Sequence, residues 1–127
     1  MPQTEVLFYR STSGKSPVVD WLKQLKEKDR HGFAKCVALI RRLAQEGHEL
    51  RRPVADYLQD GLYELRARRG RVNYRLLYFF HGQNVAVLGH ALSKEAAIPA
   101  ADMQRALDRK RAFEADPWSH TYEQSVD

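Results

Sequence analysis

Two arginines of the chain lie where a charged side chain needs an explanation. Arg66 follows Glu64 by two positions, and Arg75 has apolar neighbours on both sides. An arginine can bind a phosphate group through two parallel hydrogen bonds, which would indicate a ligand-binding role. It can equally form a structural ion pair with a carboxylate such as that of Glu64. The residues alone leave both interpretations open.

The segments that carry these arginines have the alternating pattern of β-strands. Strands are predicted over residues 62–68, 72–80 and 85–92, because these runs are rich in β-branched and aromatic residues and are separated by short turn sequences. Strands joined by such short turns pair with their neighbours in antiparallel order. The sequence therefore predicts a three-stranded antiparallel meander that carries the charged residues.

The two turns of the meander decide which side chains share a face, because opposite residues and alternate residues lie on the same side of a sheet. With Arg69 and Gly70 as a two-residue turn, Glu64 is expected opposite Arg75, and a tight second turn places Arg75 opposite His90. The uncharged face should pack on helices and holds Tyr63, Leu65, Ala67, Val72, Tyr74, Leu76, Tyr78, Phe80, Val85, Val87 and Gly89. The opposite face holds Glu64, Arg66, Arg68, Arg71, Asn73, Arg75, His90, Leu77, Phe79, Leu88 and Leu92.

The charged face gathers arginines with Asn73 and His90 beside them. Such a cluster is a candidate phosphate-binding surface, because arginine and amide side chains commonly bind phosphate oxygens. A solvated outer face of an antiparallel sheet also carries charges as a rule. The net charge of +5, from 21 Lys and Arg against 16 Asp and Glu, does not separate the two interpretations, because nucleic-acid binding depends on clustering.

The N-terminal half of the chain predicts helices that can cover the meander. A short strand is predicted at residues 5–9, and a helix begins at Ser16, a capping serine that precedes proline. A break near Asp29 separates this helix from a second one, whose apolar period extends over residues 33–44. The two helices are expected to form an αα-hairpin.

The remaining segments complete the predicted architecture. Residues 48–60 are expected to be an irregular connection, and a last helix is predicted from Pro99 to Asp116, followed by a tail of residues 117–127. The predicted fold class is α+β, with a short N-terminal strand, an αα-hairpin, the meander and a C-terminal helix. One domain is expected to span residues 1–127.

Several classes of site and location are not expected from this sequence. The single cysteine, Cys36, cannot form an internal disulfide, and no Cys/His spacing suits zinc. There is no glycine-rich loop typical of nucleotide cofactors. No apolar run approaches the roughly 20 residues of a membrane span, and the first residues lack the pattern of a signal peptide. We therefore expect a cytoplasmic protein that needs no cofactor, no metal and no membrane.

One motif is more specific than these general features. It combines two runs of fixed spacing, Gly61-Leu62-Tyr63-Glu64-Leu65-Arg66 and Tyr74-Arg75-Leu76-Leu77-Tyr78-Phe79-Phe80. With the order strand, two helices, meander and proline-started helix, this motif resembles the RelE/ParE toxin superfamily, and most closely its phage-derived, HigB-like branch. The resemblance extends over about residues 6–113 and implies a RelE-like fold.

The resemblance implies the toxin of a type II toxin–antitoxin system that cuts mRNA in the ribosomal A site without a metal. In such a reaction the 2′-OH attacks the adjacent phosphate, which requires a proton acceptor, positive charge at the phosphorane and a proton donor to the 5′ oxygen. His90 is the best acid or base at neutral pH, because the unperturbed pKa of histidine is about 6.5. The expected catalytic residues are Arg66, Arg75, His90 and Lys94, and the expected RNA-binding residues are Arg68, Arg71 and Asn73.

The implied partners are mRNA on the ribosome and a cognate antitoxin with a helix-turn-helix domain. Members of the superfamily resemble one another in having several lysines after the last strand, whereas residues 90–99 of this chain contain only Lys94. Two further functions stay open at this point. One is the non-enzymatic inhibition of DNA gyrase, as implied for the ParE branch, and the other is RNA binding by a phage-derived protein with impaired catalysis.

Overall fold

A computed structural model describes residues 3–94 and 97–122 of the chain. The helices of these residues are α1 (Pro17–Lys28), α2 (Arg30–Glu46) and α3 (Ala100–Ala115), and a short 3₁₀ turn at Gly47–Glu49 follows α2. The strands are β1 (Glu5–Phe8), β2 (Ala55–Gln59), β3 (Leu62–Arg69), β4 (Val72–Phe80) and β5 (Val85–Lys94). No helix in the described part of the chain is long and apolar enough to cross a membrane.

The strands of the described residues form one five-stranded sheet in the order β1-β5-β4-β3-β2. β1 runs parallel to β5, whereas the other neighbouring strands are antiparallel. The helices pack on this sheet, and a helix follows the last strand. The predicted α+β fold class with a C-terminal helix is therefore confirmed.

The αα-hairpin forms as predicted, because side chains cap both of its helix starts. The Ser16 hydroxyl accepts a hydrogen bond from the Val19 N–H at 3.5 Å before α1. Asp29 ends α1 and begins α2: its N–H donates to the Leu25 carbonyl, and its carboxylate accepts from the Gly32 N–H at 3.1 Å. Such caps satisfy backbone groups that a helix end would leave unpaired.

The segment of residues 48–60 is not wholly irregular, as the sequence had suggested, because it contains β2. In this strand Asp56 pairs with Glu64, and Tyr57 pairs with Tyr63. The strand has only five residues and lies at the edge of the sheet, so it needs no continuous apolar pattern. A short edge strand of mixed polarity therefore escaped a prediction that was based on periodicity.

The first hairpin of the meander pairs two residues away from the predicted register. Arg66 lies opposite Arg75, because the two-residue turn consists of Gly70 and Arg71. Gly70 has a φ of 62°, which fits a turn that begins with glycine in a left-handed conformation. The predicted pairing of Glu64 with Arg75 is therefore wrong, but a shift of two keeps every side chain on its predicted face.

The second hairpin departs from the prediction by one residue, because its loop is longer than a tight turn. Phe80 pairs with Ala86. A register shift of one residue places the side chains in the first half of β5 on the opposite face of the sheet. Leu88 therefore packs on the side of α1 and α2, whereas Val85 and Val87 pack on the side of α3. The predicted faces of these three residues are reversed.

A β-bulge at Gly89 turns the second half of β5 back. The register shifts at this point, so His90 lies opposite Leu77, and Leu92 lies opposite Arg75. The predicted pairing of Arg75 with His90 is therefore wrong by two positions. Each of the two shifts turns the side chains over once, so together they leave His90 on the predicted charged face. Glycine is a typical residue for such a bulge.

Two hydrophobic layers enclose the sheet. The layer under α1 and α2 includes Leu76 and Tyr78, and it confirms that the uncharged face packs on the αα-hairpin. The layer under α3 includes Leu77, Phe79 and Phe113. α3 thus covers the apolar end of the charged face, which the sequence pattern did not reveal.

The first part of the predicted tail packs against β1. Thr121 forms an antiparallel bridge with Tyr9, and the Tyr122 N–H donates to the Phe8 carbonyl at 2.9 Å. The ring of His120 stacks on Tyr9 with their centroids 5.2 Å apart. Residues 123–127, the rest of the predicted tail, lie outside the described residues.

Candidate functional site

Five polar residues and one leucine of three neighbouring strands form two adjacent rows on the face that α3 covers only in part. Directly opposite residues of β3, β4 and β5 make up each row. The first row consists of Arg66, Arg75 and Leu92, and the second of Arg68, Asn73 and Lys94. The structure thus brings five of the predicted site residues together on one patch of the sheet.

A buried carboxylate holds the two arginines of the first row. Glu64 is only 1% exposed, and its Oε1 accepts from Arg66 Nη2 at 2.5 Å while its Oε2 accepts from Arg75 Nη1 at 3.2 Å. Two like charges opposite each other repel. The carboxylate between them offsets this repulsion and orients both guanidinium groups. We call Glu64, Arg66 and Arg75 the glutamate cluster.

The two arginines of the glutamate cluster differ in their access to solvent. The side chain of Arg66 is 41% exposed, whereas that of Arg75 is 10% exposed. Two guanidinium groups and one carboxylate leave the cluster with a net charge of +1. The cluster therefore presents one accessible, fixed cation, Arg66, which has planar donors suited to a phosphate.

The second row extends this cationic surface toward the end of the sheet. Arg68 and Lys94 are exposed, and Asn73 between them is partly buried. Arg68 Nε donates to the Gly70 carbonyl at 3.1 Å, which directs its side chain toward the turn. Arg71 is exposed within the turn itself and so lies beyond the rows.

His90 lies one row further along the same face, between the sheet and α3. It is 7% exposed, and both of its ring nitrogens have partners on the helix. Arg109 Nη1 lies 2.7 Å from Nδ1 and also donates to the Gly89 carbonyl at 3.0 Å. Nε2 lies 2.7 Å from Asp102 Oδ1. We call His90, Asp102 and Arg109 the histidine cluster.

The partners of His90 determine where its proton lies. A guanidinium can only donate, so Nδ1 accepts from Arg109, and Nε2 carries the hydrogen that it donates to Asp102. Burial lowers the pKa of His90 below its ordinary value, and the charge of Arg109 adds to this, while Asp102 acts in the opposite direction. The neutral ring therefore joins α3 to β5 at the bulge.

Sequence reasoning missed the two helical partners of His90. Asp102 and Arg109 are seven positions apart, which places them on one face of a helix about two turns apart. A carboxylate and an arginine at this spacing, on the side of α3 that faces the sheet, were the available signal. It could be used only once the position of α3 was known.

The family to which the chain belongs follows from a comparison with known proteins. The model of the family described as phage-derived protein Gp49-like (DUF891) matches residues 20–111. The chain belongs to the Gp49-like family. This is a RelE/ParE-like toxin family, so the predicted superfamily is confirmed. No curated protein matches the Gp49-like chain.

The matched segment contains both polar clusters of this Gp49-like protein. It begins in α1 and ends in α3, so it includes every predicted site residue from Arg66 to Lys94 as well as Asp102 and Arg109. Within the described part of the Gp49-like chain, no group of three His, Cys, Asp or Glu residues could hold a metal ion. The site presents guanidinium and ammonium groups on an open sheet face, an arrangement that can bind an anion.

Proposed function

We propose that this Gp49-like protein is the toxin of a type II toxin–antitoxin system and cuts mRNA on the ribosome, like the HigB-like branch it resembles. The observation that carries the proposal is the exposed guanidinium of Arg66, which lies opposite Arg75 and is fixed by the buried carboxylate of Glu64. A cation held in place before the reaction stabilises negative charge as it develops on a phosphorane. Membership of a RelE/ParE-like toxin family supports the same assignment.

In the proposed reaction the 2′ oxygen of one nucleotide attacks the adjacent phosphorus. The bond from phosphorus to the 5′ oxygen of the next nucleotide breaks, which leaves a 2′,3′-cyclic phosphate and a 5′-OH. The attacking hydroxyl gives its proton to a water molecule or to the neutral ring of His90, and the leaving oxygen gains one. Arg66 and Arg75 stabilise the phosphorane, and Lys94 supplies further charge or the proton for the leaving oxygen.

The second row and the turn suit a binding role in this proposal. Arg68, Asn73 and Arg71 would bind the phosphates that flank the scissile one, because their side chains lie on or beside the same patch. Contacts to phosphate fix the register of a nucleic acid without reading its sequence. Their loss is therefore expected to weaken RNA binding uniformly across codons.

A catalytic role of His90 would require a change in its hydrogen bonds. Proton transfer by its ring, the role expected from the sequence, requires Nδ1 to give up the hydrogen bond from Arg109. The geometry supports a positioning role more directly, because the ring holds α3 beside the two rows of the site. A substitution of Arg109 separates the two roles, since it changes the ring's environment without touching the glutamate cluster.

The proposal includes an antitoxin partner and a cytoplasmic location. Toxins of this class are neutralised by a protein from the same operon, here expected to carry a helix-turn-helix domain. Ribosome-bound mRNA is the proposed substrate, so the protein must act where translation occurs. A neighbouring reading frame for a helix-turn-helix protein would be a simple supporting observation.

Mapping mRNA ends in cells tests the function. The chain is expressed from a tightly controlled promoter, and the 5′ ends of mRNA on translating ribosomes are mapped for the unmodified protein and for Arg66→Ala. Cleavage within codons that is lost in the variant is the expected result. Growth arrest with intact mRNA and DNA damage signalling would instead indicate gyrase inhibition, and the absence of arrest would indicate RNA binding without catalysis.

A further inference from the structure

The sheet edge beyond Arg66 carries a cavity that the proposed cleavage site does not use. It has a volume of ≈ 390 Å³ and lies between β2 and the segment that follows α2. Such a volume falls within the roughly 300–1,000 Å³ of small-ligand sites. Its lining combines aromatic rings with cations and includes His48, Arg51, Arg52, Tyr57 and Tyr63.

Tyr57 is the exposed ring of this cavity. It is 54% exposed, although its hydroxyl accepts a hydrogen bond from the Gly61 N–H at 3.2 Å. Its ring meets that of Tyr63 edge-on, with centroids 5.1 Å apart and planes at 75°. The ring is thus held in place before any ligand arrives, which lowers the entropic cost of binding. An exposed, fixed aromatic ring is a platform on which a planar group can stack.

Two arginines border this platform. Arg51 is exposed, and no salt bridge joins it to a carboxylate among the described residues. Arg52 has a side chain that is 80% exposed and an Nε that lies 3.1 Å from Asp56 Oδ2. Arg52 neutralises Asp56, the carboxylate that lines the cavity, so Arg51 remains available for an anion.

The cavity adjoins a second one that borders Arg66 on the other face of the sheet. A neighbouring cavity of ≈ 380 Å³ is lined by Arg52, Pro53, Asp56 and Arg66. Arg52 and Asp56 line both cavities. A chain bound at Arg66 can therefore reach Tyr57 by crossing the β2 edge past Arg52.

We propose that the cavity at Tyr57 is a subsite for one nucleotide of a single-stranded RNA, with the base stacked on Tyr57 and a phosphate bound by Arg51. Proteins bind unpaired RNA through aromatic rings that stack on bases and cations that follow the backbone. Both elements occur here, next to the exposed Arg66. The inference deepens the proposed function and rests on it, because RNA bound at Arg66 supplies the strand that reaches the subsite.

Binding of 2′-O-methyl RNA tests the subsite on the intact chain, because this RNA cannot be cut by 2′-OH attack. The affinities of a labelled dinucleotide and a labelled octanucleotide are measured by fluorescence anisotropy. Tyr57→Leu is expected to weaken octanucleotide binding about fivefold or more, as for the loss of one stacked base, and to leave the dinucleotide unaffected. Tyr57→Phe is the matched control: it also loses the contact to Gly61 but keeps the ring, so it should bind like the unmodified protein.

Substitution of Arg51 tests the phosphate contact. Arg51→Gln should weaken octanucleotide binding and reduce the salt dependence by about 0.7, the slope expected for one phosphate of a single strand. Arg41→Gln removes the same charge from an exposed position of α2 and serves as the control. An equal effect of the two substitutions would mean that only net charge matters and would overturn the phosphate contact.

Three outcomes decide between the subsite and its alternatives. Equal octanucleotide affinities of Tyr57→Leu and Tyr57→Phe would overturn the subsite. Loss of antitoxin binding in Tyr57→Leu with unchanged RNA affinity would also overturn it and make the β2 edge a protein interface. If Arg66→Ala leaves both RNAs bound as before while Tyr57→Leu weakens the longer one, the proposed cleavage site fails and the subsite stands.

Discussion

The glutamate cluster and the histidine cluster lie side by side on the same sheet face and are built alike. Each has a buried central group that binds two charged or polar partners, with Glu64 at 1% and His90 at 7% exposure. The outer members differ. Arg66 keeps 41% of its side chain exposed, whereas the side chain of Asp102, which α3 directs toward the sheet, is 16% exposed.

This difference shows how one sheet face can hold both an accessible cationic site and a buried cluster that connects α3 to β5. Both clusters contain groups that could take part in chemistry, so residue type does not distinguish them. Exposure does: the glutamate cluster ends in a cation that a ligand can reach, whereas the histidine cluster consists of partners that satisfy one another. The position of α3 therefore decides which of the two clusters a ligand can reach.

Removal of the central carboxylate of the glutamate cluster should have the largest effect on stability. Glu64→Ala should lower the free energy of unfolding by about 3–5 kcal/mol, because it removes one partner of a buried ion pair. Urea denaturation measures the change. Arg66→Ala is the reference, because its side chain is partly exposed and its loss should cost no more than about 1 kcal/mol. Similar losses for the two variants would contradict the structural role of Glu64.

Substitution of Arg109 should destabilise the histidine cluster and leave the glutamate cluster intact. Arg109→Gln should lower the free energy of unfolding by about 1–3 kcal/mol, because it weakens hydrogen bonds to the His90 ring and the Gly89 carbonyl. The rate of RNA cleavage by the folded variant should be nearly unchanged. Arg111→Gln, at an exposed position of α3, is the control for loss of a single charge from the helix. A large loss of cleavage with normal stability would assign His90 a part in proton transfer.

The pH dependence of stability gives the smallest expected effect. The pKa of His90 is lowered by burial and by the charges of Arg109 and Arg105, against the opposing effect of Asp102. The unfolded chain therefore binds this proton more readily, and the free energy of unfolding should fall as the pH drops below about 6.5. His90→Gln should flatten the curve between about pH 7 and pH 5, as measured by urea denaturation at several pH values. Parallel curves would mean that His90 is not buried in its neutral form.

Local chemistry made most of the fold predictable from the sequence. The capping side chains of Ser16 and Asp29 act on backbone groups a few residues away, so their signal lies within one short segment. Strand faces were also largely predictable, because side chains alternate with a period of two. The error in the pairing of Arg66 and Arg75 was two residues and did not change their face.

The rest depended on contacts that no local pattern contains. The longer second loop and the bulge at Gly89 shift the register by one residue each. Neither shift can be recognised from the residue types of β5. The partners of His90 lie 12 and 19 positions away on α3. Tyr57 became a candidate only when β2 was seen to pair with β3 beside Arg66.

Single-turnover cleavage of mRNA on a ribosome with a defined A-site codon tests whether Arg66 of the glutamate cluster acts in catalysis. The rate is compared for the unmodified protein, Arg66→Ala and Arg109→Gln, each shown to be folded by its circular dichroism spectrum. The structure predicts that Arg66→Ala slows cleavage about 100- to 1,000-fold, as expected for the loss of one donor to the developing charge, whereas Arg109→Gln stays within about threefold of the unmodified rate. Cleavage by Arg66→Ala at the unmodified rate would contradict the assignment of the glutamate cluster as the active site.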